Sequence, residues 1–141
     1  MKEQTLSTST STKKGPKILC MVYTMEDAHA TTIRAIRETW AGGCDGFLAF
    51  STASDPRIPA ISLAHLGHES YTNMWQKVRS MWQYVHEHYL DDFEFFHIGG
   101  DDMFVIADNL RYATSLEDSS QPLYMGAAMV DHLMPRKRYC G

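Results

Sequence analysis

Short apolar runs alternate with amphipathic stretches along this sequence, and that alternation predicts an α/β fold with a mostly parallel sheet. Two further observations agree. The 141 residues suffice for a domain with a real core. No linker-like stretch divides the chain after Pro16, and no repeat is visible.

The elements follow in order. Met1–Pro16 is rich in Ser and Thr, with Leu6 its only large apolar residue besides Met1, and reads as a disordered tail. Lys17–Thr24 (KILCMVYT) is a short apolar run set between breakers, hence a buried strand. Glu26 and Asp27 suit a helix start, and Ile33, Ile36 and Trp40 recur at spacings of three and four. A helix is therefore expected to about Ala41, ended by Gly42-Gly43. Gly46–Thr52 is a second strand, and Ile58–Leu63 is a weaker third. Ser70–Tyr89 carries a stripe of Tyr71, Met74, Trp75, Val78, Met81, Trp82, Val85 and Tyr89, which predicts a long helix packed on the core. Phe93–Ile98 is an aromatic strand, broken by Gly99-Gly100-Asp101-Asp102. The apolar run resumes over Met103–Ile106. Ala107–Leu116 then reads as helix, with Leu110, Ala113 and Leu116 on one side, and Leu123–Ala127 as a further strand.

Composition narrows the function. The formal charge of −4 argues against a polyanion, so no nucleic-acid partner is expected. Three Cys are too few for a disulfide scaffold. No run approaches the roughly 20 apolar residues that span a bilayer.

The richest window for chemistry is Leu90–Asp108, which holds six acids and no Lys or Arg. Asp101 and Asp102 sit just after an apolar strand, behind two glycines. Ligand sites in open α/β sheets collect at the carboxyl ends of strands. Adjacent carboxylates repel unless a cation joins them, and oxygen ligands suit Mg²⁺ or Mn²⁺ carrying substrate phosphates. The same four residues also suit an exposed acidic turn. Arg34, Arg37 and Lys77 are cations able to complement a diphosphate, or else solvated helix-face charges. His86 and His88 point about 200° apart on a helix and cannot share an ion. There is no nucleophile elbow, Cys-x-x-Cys pair or Walker loop.

Several segments together resemble a known family. KILCMVYT (17–24), IRAIRETWAGGC (33–44), YTNMWQKVRSMWQYVHEHYLDDFEFFHIGGDDMFVIADNLR (71–111) and PLYMGAAM (122–129) are similar, in order, to the β1,3-glycosyltransferases that include the core 1 galactosyltransferases and the Fringe enzymes. The resemblance covers nearly everything from Lys17 onward.

It implies a GT-A type fold, here the N-terminal, donor-binding half of a Rossmann-like nucleotide-sugar domain over 17–141. It implies UDP-galactose as donor, Mn²⁺ (or Mg²⁺) as cofactor, and O-linked N-acetylgalactosamine on a glycoprotein as acceptor. It further implies inverting transfer in the Golgi lumen, with a membrane anchor and a catalytic base outside this sequence, the base beyond Gly141. The family's acidic motif is usually three Asp; here it reads Gly100-Asp101-Asp102. The metal ligand maps to Asp102, and Asp101 takes the middle position. Arg37 and Trp40 match the R-x-T-W donor-side motif, and Lys77 matches a lysine recurrent in the helix before the acidic strand. Cys20 and Cys44 occupy family-like positions, implying a disulfide. Gly100 and the base expected beyond this sequence leave open a catalytically inactive fragment, and the resemblance also leaves open a Fringe-like enzyme of other sugar specificity.

Overall fold

The structure is a computed structural model that describes residues 15–126, 128–130 and 138–140. The Ser/Thr-rich tail, apart from Gly15 and Pro16, lies outside the described residues. Four strands form one sheet: β1 (Ile18–Tyr23), β2 (Gly46–Ser51), β3 (Ala60–Ser62) and β4 (Phe95–Gly100). Their order is β3-β2-β1-β4 and every pairing is parallel. β1 is central, and all of it except Tyr23 is buried. That fits a strand covered on both faces, which reads as an unbroken apolar run.

Alternation along β1 divides the core in two. Ile18, Cys20 and Val22 pack with Ile33, Ile36 and Trp40 on one face, joined by Val105 and Leu110. Leu19 and Met21 pack with Leu48, Phe50, Met81 and Val85 on the other. The first face is covered by α1 (Arg34–Thr39) and α3 (Ala107–Ser115), the second by α2 (Met74–Tyr89). The result is a three-layer arrangement with the parallel sheet expected of an α/β, Rossmann-like GT-A domain. A small antiparallel pair, β5 (Ala128–Val130) with β6 (Arg138–Cys140), follows.

Several elements depart from expectation. The helix expected from Glu26 is a helical path in pieces: a 3₁₀ turn at Glu26–Ala28, a π turn at His29–Ile33, then α1. Thr31, Thr32 and Ile33 fall in the wide turn, where three β-branched residues in a row crowd a regular helix. Gly99 and Gly100 do not break β4; they pair with Val22 and Tyr23 as its last two residues. Met103–Ile106 is a loop, and only Val105 of its residues is buried. Of the strand expected at Leu123–Ala127, residues 123–126 form none, Ala127 lies outside the described residues, and β5 follows at Ala128–Val130.

The long helix exists, and Val78, Met81, Val85 and Tyr89 of the expected stripe pack on the core, but three of its aromatic residues are exposed. Tyr71 is 91% exposed, Trp75 61% and Trp82 38%. The buried residues of α2 are Lys77, Met81 and Val85, spaced by four. Cys20 and Cys44 form a disulfide with Cα atoms 6.1 Å apart, joining β1 to the turn after α1.

Candidate functional site at the β1/β4 switch point

The strand order fixes where a ligand can sit. From β1 the chain adds β2 and β3 on one side, then crosses to place β4 on the other. The carboxyl ends of β1 and β4 therefore flank a topological switch point, where open α/β sheets form their crevice. Tyr23 and Thr24 leave β1 there, and Asp101 and Asp102 leave β4.

These residues are tied together. Thr24 Oγ1 donates to Asp101 Oδ2 at 2.6 Å. Lys77 Nζ donates to the Thr24 carbonyl at 2.8 Å and to Glu69 Oε1 at 2.6 Å. Glu69 Oε2 meets His65 Nε2 at 2.8 Å. Burial works against the Glu69 carboxylate, but the hydrogen bonds from Lys77 and His65 outweigh it and hold its pKa below the usual value. The Tyr23 phenol is pushed up by burial and then by Asp102, Tyr71 and Asp101, which face it.

Lys77 is thus not a solvated helix-face charge. It is 5% exposed, and two of its three protons are spent inside the protein. Asp102 is exposed. Its Oδ1 would lie 2.6 Å from a Cβ built on Gly100, so a side chain at position 100 would have to displace that carboxylate. Beside β2, His29 Nε2 and Ser51 Oγ are 2.6 Å apart.

Arg37 does not join this cluster. It lies on α1, further along the helical path that follows β1. Its guanidinium donates to the Arg57 carbonyl in the β2–β3 connection at 2.7 Å. Arg34 pairs with Glu38 on the solvent side of the helix. Trp40 is a core residue, packed edge-on against Phe47 with centroids 6.0 Å apart.

Sequence reasoning missed Thr24, Glu69 and Arg111. Arg111 is 9% exposed on α3 and works at the opposite, amino end of the sheet. It donates to the Pro16 carbonyl at 2.7 Å and the Gly43 carbonyl at 3.0 Å, and pairs with Asp45 at 2.9 Å. Asp45 in turn accepts from the Ile18 amide at 2.9 Å. The signal for Lys77 was available: it stands four residues before Met81, in line with Val85.

The acidic pair can be tested against a divalent ion. Among the described residues, no group of three or more His, Cys, Asp or Glu converges on one point. An exposed Asp102 beside Asp101 still fits Mg²⁺ or Mn²⁺, which are often held by one or two carboxylates with phosphate and water completing the shell. No described helix is long and apolar enough to cross a membrane.

Comparison with known proteins agrees with the geometry. No family model matches the chain. It is 32% identical over 120 residues to glycoprotein-N-acetylgalactosamine 3-beta-galactosyltransferase 1 of Xenopus laevis, covering 85% of this chain and 33% of that protein. It is 32% identical over 100 residues to chondroitin sulfate synthase 3 of Homo sapiens, covering 65% and 11%. The Mus musculus chondroitin sulfate synthase 3 is 31% identical over 102 residues, covering 65% and 11%. The chain thus spans a third or less of the length of these relatives. With the parallel sheet and the acidic switch point, the identity over most of its length shows that the chain belongs to the β1,3-glycosyltransferase family.

Proposed function

We propose that the chain is the donor-binding part of an inverting β1,3-galactosyltransferase. It would take galactose from UDP-galactose and pass it to O-linked N-acetylgalactosamine on glycoproteins, in the Golgi lumen. The supporting observation is the pair Asp101–Asp102 at the β1/β4 switch point.

Asp102 is the residue that would hold Mn²⁺ (or Mg²⁺), with Asp101 beside it. Bound there, the ion supplies Lewis-acid stabilisation of charge building on the departing diphosphate. The chain's own part is to present an exposed carboxylate at the crevice and keep its neighbour fixed by Thr24. Tyr23 lines the crevice between the two strand ends as a neutral phenol. Inversion also requires a base on the acceptor side, and none of these residues is assigned to it.

Calorimetric titration of UDP, with and without Mn²⁺, tests the reading. Wild type should bind UDP in a Mn²⁺-dependent way, and Asp102→Ala should weaken that binding by about tenfold or more. Equal binding by both would sink the metal assignment.

Gly100 favours a second reading, a domain that binds a nucleotide sugar without transferring it. Incubation with UDP-galactose, Mn²⁺ and a peptide bearing N-acetylgalactosamine separates the two. Binding without transfer supports the second.

A further inference from the structure

We propose that Lys77 is a positioning residue: it sets the acidic pair through Thr24 and does not itself touch the diphosphate. This rests on the donor-site reading above, and deepens it.

Thr24 is the hinge of the argument. It is 4% exposed, and all three of its polar groups are committed. Its amide donates to the Phe50 carbonyl at 2.8 Å, its carbonyl accepts from Lys77, and its hydroxyl donates to Asp101. A residue held at three points has little rotational freedom, so the Asp101 oxygen it holds is equally fixed. Asp102 follows directly in the chain and inherits that placement.

Lys77 completes the hold and is neutralised internally. Glu69 Oε1 accepts a hydrogen bond from its ammonium, and His65 meets the other Glu69 oxygen. The Lys77 side chain is 6% exposed, which leaves no open face for a ligand oxygen. Lys77 spends two of its three donors on a backbone carbonyl and a carboxylate, and its burial keeps the third from solvent. The chain His65–Glu69–Lys77–Thr24–Asp101 therefore couples the loop before α2 to the end of β4. A lysine at this position need not contact the donor to affect how the donor is held.

The test uses the full chain and three variants: Thr24→Val, Thr24→Ser and Lys77→Met. Thr24→Val keeps the β-branched shape and removes the hydroxyl; Thr24→Ser keeps the donor. The first readout is Mn²⁺ affinity by electron paramagnetic resonance, with UDP present. Thr24→Val and Lys77→Met should each weaken Mn²⁺ by about tenfold, the scale of one hydrogen bond to a charged group. Thr24→Ser should stay within about twofold of wild type. The second readout needs no ligand: hydrogen exchange of the amides over 101–104 should quicken by about tenfold in Thr24→Val. If Lys77→Met loses UDP while both Thr24→Val readouts match wild type, Lys77 acts by direct contact and the proposal is overturned. If wild type binds neither Mn²⁺ nor UDP, the transferase reading fails. The exchange arm then still decides the coupling, and unchanged exchange overturns it. Should Lys77→Met fail to fold, the Thr24 pair carries the test.

Discussion

Reducing the Cys20–Cys44 disulfide should cost this domain a large part of its stability. The bridge spans a sequence separation of 24 and joins the central strand to the turn after α1. Closing a loop of that size in the unfolded chain is worth about 3.5 kcal/mol at 25 °C in the chain-entropy model. Both sulfurs lie in the core: Cys20 is 0% exposed and Cys44 6%. Reduced, they act as small buried hydrophobes, so little native packing is lost and the unfolded state carries most of the effect. For a domain of this size, a loss of that order lowers Tm by about 10 °C. Circular-dichroism melts with and without reductant, alongside a Cys20→Ala/Cys44→Ala double variant, measure it. A difference below about 2 °C, with the bridge verified by mass in the oxidised sample, would refute the loop-entropy reasoning.

Two other expectations concern groups away from the crevice. Arg111→Met should destabilise the fold by about 3 kcal/mol, because it strips a nearly buried cation from Asp45 and from two carbonyls; a denaturation midpoint equivalent to less than about 1 kcal/mol would contradict this. Burial lowers the pKa of His97, whose Nδ1 has no hydrogen-bond partner among the described residues. The unfolded chain then binds a proton that the folded one refuses, so stability is full above about pH 6.5 and falls as pH drops toward the lowered value. His97→Leu should flatten the fall in Tm between pH 7 and 5, and an unchanged slope would assign it to other groups.

The architecture was legible because β1, β2, α2 and α3 each carry a pattern that local physics enforces. The failures have particular causes. Gly99 and Gly100 look like a break in sequence, yet pairing with Val22 and Tyr23 overrides the local tendency. The stripe before and along α2 was only partly right: Val78, Met81, Val85 and Tyr89 pack on the core, while Tyr71, Trp75 and Trp82 are exposed. The buried line also runs through Lys77, a position that composition assigns to solvent. Burial of a lysine depends on partners 8 and 53 residues away in sequence, Glu69 and Thr24, and no local pattern reveals them. Asp101 and Asp102 were readable as a pair after a strand. Their placement beside β1 rather than β2 follows from strand order, which the sequence leaves open. The bridge came from resemblance, since spacing alone pairs no cysteines.

The position of β4 also has a kinetic consequence. β1 and β2 pair across a short stretch of chain, already drawn together through α1. β4 must find β1 across a far longer one: Thr24 and Asp101 are 77 residues apart. Closing the longer loop costs more entropy before any contact rewards it. We therefore expect β1, α1 and β2 to gain amide protection first in pulse-labelled refolding, and β4 afterwards. The crevice is made by the joining of β1 to β4, so it is completed in the late step. A chain stalled before that step would hold most of its secondary structure and no crevice.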